Sequence, residues 1–350
     1  MKKRGTTMAN QIGYPYPVTN WDIYNFSDCF GSLYMFLEGM SAEKVEYYCC
    51  KQEKGDCYGC KHNMCRKTGF SPARIHEVLY HTFETLSGTN SAIKACGRDS
   101  EISKAIRDTD DTIDFILKYT GYAYEKHTCD FAAQVAKSID AGVPVLARLK
   151  DNHFRILIGY DGNSFLALEK PENRVLAAKE LDSIYVIAGK TERTYFLVDA
   201  LKRIRHVLGC NRKEKIWDEY IESFRYWGKG NLEYASFKEL KSRFFNLREA
   251  ITFWCHSFAE TVRHKIFAEL KDKRLAKAMN DIDAAYDDSH TAGWQAHSLY
   301  NFRDWSKRQD GSNEWGYCEL GADVARRLQK DDDLVYDAVC GMIAILEGAQ

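Results

Sequence analysis

Proline is scarce here: 5 residues in 350, beside 23 glycines. That scarcity excludes a collagen-like repeat, a Pro-rich linker array and a low-complexity disordered chain. No apolar stretch approaches the roughly 20 residues that a helical bilayer span needs. The basic start Met1-Lys2-Lys3-Arg4 is followed by mostly polar residues through Thr19 and no apolar h-region, so no secretory signal is expected. Excess charge is missing too, since 49 Lys and Arg face 50 Asp and Glu. The most uneven stretch, 201–250, holds 12 basic and 7 acidic residues, short of the footprint of a nucleic-acid binder. Internal repeats are absent as well. The expectation is a soluble cytoplasmic protein that binds neither nucleic acid nor membrane.

What is present is an ordinary globular composition. At 350 residues, two domains or one large elaborated domain are expected, and 45% of residues are hydrophobic. From Asn25 onward, Phe30, Leu33, Leu37 and Met40 recur at helical spacing, with Ser27 or Asp28 able to cap. A second helix opens at Ser71-Pro72, carries Ile75, Val78, Leu79, Thr82 and Leu86 on one face, and stops near Gly88. Shorter helical patterns cover 110–119 and 130–141, the latter with Asp130 as its cap.

At Gly142 the period changes to that of strands. Residues 143–149 read as a strand, Asp151-Asn152 as a tight turn, 153–160 as a second strand and Asp161-Gly162-Asn163 as a hairpin turn. A third strand runs over 164–169, and 184–187 and 193–196 add more. An α+β domain over 1–195 is therefore expected, with helices first and an antiparallel meander second. Beyond it only helical faces recur, such as Leu197, Leu201, Ile204 and Leu208, so 196–350 is expected to be a helical domain. Asp331-Asp332-Asp333 reads as a capped, solvated turn within it.

The chemistry concentrates in the first domain. Cys29 falls in an expected first helical turn, where free N–H groups and the helix dipole favour thiolate over thiol and can hold an oxyanion. Taken alone, a helical Cys is more often a packing residue than a nucleophile. His153 opens a strand directly after a turn, and the next strand ends at Glu169-Lys170-Pro171. A base on one strand and a carboxylate on its neighbour can meet side by side. Cys29 as nucleophile, His153 as general base and Glu169 as the group orienting it make a candidate triad.

The order Cys, helices, then His on an antiparallel sheet resembles papain-like folds. Ser27-Asp28-Cys29-Phe30-Gly31-Ser32-Leu33 resembles the Cys-helix start of the bacteriocin-processing cysteine peptidases. Gly142-Val143-Pro144-Val145, then His153-Phe154 and Gly159-Tyr160-Asp161-Gly162, resembles their His segment. That stretch is closer still to the N-terminal domain of butirosin biosynthesis protein H and its relatives. The motifs cover 21–40 and 130–171, and none is found after about 200. The resemblance implies a papain-like fold with a working Cys and His, and either peptide cleavage or acyl transfer.

The sequence departs from the peptidase pattern in two places. An Asp-Pro pair is expected sixteen residues after the His, where Glu169 stands with Lys170 before Pro171; Asp161 and Asn173 are rival orienting groups. A Gln is expected about six residues before the Cys, but position 23 is Ile, which leaves Asn25 or Asn20 to supply an oxyanion donor or merely to cap and turn.

Of 12 cysteines, five crowd into 49–65 as Cys49-Cys50, Cys57-Tyr58-Gly59-Cys60 and Cys65, with His62 among them. Such a segment reads as a structural zinc site or as a redox-sensitive loop. No other cofactor is expected. The reading is a cysteine-dependent acyltransferase or amide or peptide hydrolase, acting on a small-molecule or peptide acyl group or a carrier-protein thioester. The alternative is a catalytically inactive papain-like module that binds a small molecule or peptide.

Overall fold

The computed structural model describes residues 8, 10–19, 25–40, 72–89, 106–213, 215–228, 261–262, 266–300 and 314–348. The Cys49–Cys65 cluster and Asn20 lie outside the described residues. The chain divides into two compact units, Met1–Glu84 with Asp110–Phe196, and Thr85–Thr109 with Leu197–Gln350. Among the described residues no helix is long and apolar enough to cross a membrane.

The first unit is α+β. Its elements run β1 (Asn10–Gln11), α1 (Asn25–Leu37), α2 (Pro72–Leu86), α3 (Asp110–Thr120), β2 (Tyr122–His127), α4 (Phe131–Asp140), β3 (Val145–Leu149), β4 (Phe154–Asp161), β5 (Ser164–Ala167), β6 (Arg174–Ala177) and β7 (Leu181–Lys190). The last two residues of α2 fall in the second unit. Seven strands form one antiparallel sheet in the order β2-β7-β3-β4-β5-β6, with β1 added on β4. β4 is the central member. Its first half pairs with β3 (Leu146↔Ile156, Arg148↔Phe154), and its second half with β1 (Gln11↔Gly159). Glycine at 159 is required by that approach, because a Cβ there would stand 2.8 Å from the Asn10 carbonyl oxygen.

Strand alternation sorts the side chains to two faces. On one face Val145, Ala147, Leu149, Leu157 and Ile184 pack with Val135 and Ile139 of α4, all nearly or fully buried. The other face is aromatic. Phe26 of α1 stacks on Phe30 at 5.6 Å and meets Phe154 edge-on at 5.6 Å, while Phe30 meets Phe83 of α2 at 5.0 Å. α2 crosses α1 at Gly31, where an added Cβ would lie 3.3 Å from the Tyr80 amide nitrogen.

Several local expectations need correction. Asp130 precedes α4 in the left-handed region and makes no side-chain cap. The stretch 193–196 is not a strand, whereas β2 and β6 are strands that the sequence reading lacked.

The described residues of the second unit are chiefly helical: α5 (Leu197–Lys213), α6 (Ile216–Gly228), α7 (Ala276–Tyr300) and α8 (Glu314–Glu347), with 3-10 turns at Ala268–Lys271 and Lys273–Leu275. The 34-residue α8 is the spine. It meets α5 through Arg212–Asp333 at 3.0 Å and α7 through Arg327–Asp288 at 2.5 Å. Asp331 and Asp332 lie in the middle of α8, not in a turn, and are 2% and 3% exposed. Ser289 donates to Asp331, and the Trp217 indole N–H donates to Asp332. Sequence alone misread them because a run of three acids looks solvated until its helical partners are known.

Candidate active site

Cys29 is buried at 4% exposure. α1 is described from Asn25, so Cys29 is its fifth residue, just past the first turn and not within it. The regular helical partner of its N–H is the Asn25 carbonyl, and the dipole acts most strongly one turn earlier. Its neighbour Asp28 is no cap either. Buried at 1%, Asp28 accepts the Thr19 N–H at 2.9 and 3.2 Å and the Thr19 hydroxyl at 2.8 Å.

His76 of α2 closes that network. Its Nε2 lies 2.8 Å from the Asp28 carbonyl oxygen and 3.3 Å from Asp28 Oδ1. Burial lowers the His76 pKa, and the Asp28 charge only partly opposes it. A neutral ring protonated at Nε2 suits both contacts.

His153 stands one residue before β4, in the turn from β3. The Leu149 N–H donates to the His153 carbonyl at 2.7 Å, and the Asn152 N–H to the Leu149 carbonyl at 2.9 Å, with Asn152 at φ 65. Asp151 folds back on this turn. Its Oδ1 accepts the His153 N–H at 3.0 Å and lies 3.2 Å from His153 Nδ1. Such self-bonding is what Asx turns do. Partial burial works against the Asp151 carboxylate, but the His153 N–H, the His153 ring and the Arg155 charge outweigh it and hold its pKa below the usual Asp value.

Asn25 ties the two halves together. Its Nδ2 donates to the Asn152 carbonyl and its Oδ1 accepts the Phe154 N–H, both at 2.7 Å. Those are the chain groups on either side of His153. Four residues separate Asn25 from Cys29, which puts both on one face of α1. The oxyanion-donor role considered for Asn25 therefore gives way to a structural one.

Glu169 sits elsewhere. Its Oε1 accepts from Arg155 Nη2 at 3.0 Å, and its N–H faces Asn173 Oδ1 at 3.4 Å. The carboxylate beside His153 Nδ1 is Asp151. The physical reason is competition: Arg155, two residues along from His153, reaches Glu169 beyond the end of β5, and a guanidinium outcompetes an imidazole for a carboxylate. Asp161 closes β4, eight residues along, at roughly 3.3 Å per residue from His153. Asp151 was legible as a turn residue, and the Asp-x-His spacing was the signal that could have given it this role. Nothing in the local pattern announced His76.

Tyr14 completes the surroundings of Cys29. Its ring stacks on Phe36 at 5.2 Å and 9° between planes, and its hydroxyl shares a 2.9 Å hydrogen bond with Ser32 Oγ. Among the described residues, no three His, Cys, Asp or Glu side chains gather as a metal would require. No protein-family model matches this chain, and no curated protein matches it.

Proposed function

We propose that the first unit is a papain-like, cysteine-dependent acyl-group enzyme. Cys29 is its nucleophile, His153 its general base, and Asp151 rather than Glu169 the group that orients the imidazole. The observation that carries this reading is the Asn25 bridge, which fixes the face of α1 bearing Cys29 against the turn bearing His153. With Asp151 at Nδ1, the ring keeps its Nδ1 proton and turns Nε2 to the task of taking the thiol proton.

The thiolate then adds to the carbonyl of an amide, ester or thioester. Collapse expels the leaving group with the proton carried by His153, and the acyl-enzyme passes to water or to an amine. The acyl donor is a small molecule, a peptide or a carrier-protein thioester.

One observation favours a second reading, a catalytically silent module that binds a small molecule or peptide: Cys29 is 4% exposed. Iodoacetamide at pH 6 separates the two. The enzyme alkylates at Cys29 far ahead of its other eleven cysteines, as peptide mass spectrometry would record. Uniform or absent labelling of Cys29 leaves the binding module.

A further inference from the structure

An acyl enzyme of this kind needs a donor for the oxyanion, and two obvious sources are already engaged. The Cys29 N–H lies past the first turn of α1, where helical geometry gives it the Asn25 carbonyl. The Asn25 carboxamide is bonded to the chain around His153.

Tyr14 offers a third source. Cys29, Ser32 and Phe36 follow one another at i, i+3 and i+7, so they form a single stripe along α1. The Tyr14 ring lies flat on Phe36 and its hydroxyl reaches Ser32, so its C–O axis points along that stripe toward Cys29. Tyr16 braces the pair, edge-on to Tyr14 at 6.0 Å and to Phe36 at 6.4 Å.

Proton counting supplies the second observation. Two hydroxyls carry two protons, and the bond between them uses one. Ser32 is 0% exposed, and among the described residues each of the two side chains has the other as its hydrogen-bond partner. One O–H proton of the pair is left to donate, one helical turn from Cys29. The reach is suitable. Residues three apart on a helix hold their Cβ atoms about 5–6 Å apart. An oxyanion two bonds from Sγ, plus a hydrogen bond of about 2.8 Å, spans a comparable distance.

We propose that the Tyr14 hydroxyl, anchored by Ser32, is the side-chain oxyanion donor of the Cys29 reaction, an inference that rests on the acyl-enzyme reading above. As the Cys29 thiolate forms its C–S bond, the carbonyl π pair moves onto oxygen, and the Tyr14 O–H donates to that oxygen. When the C–O double bond re-forms, the leaving group departs with its bonding pair and the oxygen releases the hydroxyl unchanged. Burial, reinforced by negative charge on Cys29, holds the Tyr14 phenol well above its ordinary pKa, so it remains a donor throughout the neutral range.

Two probes of the full-length chain test this. p-Nitrophenyl acetate acylates a thiol through an oxyanion, whereas iodoacetamide alkylates it by displacement at a saturated carbon with no oxyanion formed. Tyr14→Phe, which keeps the stack on Phe36, is expected to slow Cys29 acylation about tenfold to a hundredfold. Its alkylation rate should stay within about twofold of wild type. Ser32→Ala should give the same split with a smaller loss, and it serves if Tyr14→Phe does not fold. Equal slowing with both reagents, or slowing with neither, overturns the assignment. A wild-type Cys29 that reacts with both reagents no faster than the other cysteines overturns the acyl-enzyme reading itself, and this assignment with it.

Discussion

The Asn25 side chain accepts the Phe154 amide proton at 2.7 Å across 129 residues of sequence. On that edge of β4, the last contact from β5 is the Leu168 N–H on the Ile156 carbonyl at 2.8 Å. Asn25 then satisfies the chain groups that β5 no longer reaches, standing in for a strand with one carboxamide. Asn25→Ala would leave the buried Phe154 N–H unpaired and should cost about 1–3 kcal/mol of stability in urea unfolding. It should also slow Cys29 alkylation, because α1 would no longer be held at the His153 turn.

Asp151 and Glu169 make opposite predictions. Asp151→Asn should lower acylation of Cys29 by about a hundredfold or more, since the amide can stabilise the wrong imidazole tautomer. Glu169→Gln weakens only the pairing with Arg155 and should leave the rate within about threefold. The Asp151 carboxyl titrates below its usual 3.8, so acid should begin to remove its contribution only below that value. Rates of p-nitrophenyl acetate turnover in the two variants check this. A larger loss in Glu169→Gln would reverse the assignment.

His76 gives a pH prediction with a definite sign. Its folded pKa lies below the ordinary 6.5 because it is buried. Above that value it is neutral in both the folded and the unfolded chain and adds no slope. As pH falls through 6.5, the unfolded chain takes up a proton that the folded one refuses, so stability drops at up to about 1.4 kcal/mol per pH unit. The drop ends where the folded pKa is reached. His76→Gln lacks that slope, so the stability gap between wild type and variant should narrow from pH 7.5 to 5.5 in urea titrations. A constant gap would mean that burial leaves the His76 pKa unchanged, and a widening gap that His76 is protonated in the folded state.

In the second unit, Asp332→Ala removes the acceptor of a buried indole N–H, with Trp217 4% and Asp332 3% exposed. A loss of about 1–3 kcal/mol is expected. Tryptophan fluorescence during unfolding reads it directly.

Gly159→Ala addresses β1. A methyl group 2.8 Å from the Asn10 oxygen cannot be accommodated, and the obstacle is backbone, so β1 must leave β4. Faster proteolysis of the first twelve residues is expected, with β3 and β5 each still paired to β4.

The strands around His153 were legible because turn residues bracket short runs of β-formers: Asp151-Asn152 before β4 and Gly162-Asn163 after it. β2 was not, since Tyr122-Ala123-Tyr124-Glu125-Lys126-His127 lies at the sheet end with one buried residue among six, and its pairing comes from β7, more than fifty residues on. For the site, Cys29 was visible as a residue type near a helix start and His153 as one opening a strand. Their neighbours were not, because Asn25, His76 and Tyr14 take their roles from contacts with distant segments that no local spacing encodes.

Acid and base on a single turn have a mechanical consequence. A carboxylate on β5 would depend on the alignment of two strands, and the β4–β5 pairing already slips between Leu157 and Gly159. Asp151 and His153 are two residues apart in one hairpin, closed by its own bonds to Leu149. Fraying that starts at β6, the last strand of the sheet, and runs inward through β5 would reach Glu169 and Arg155 while the imidazole kept its alignment. The reacting geometry is thereby insulated from the sheet edge where thermal opening begins.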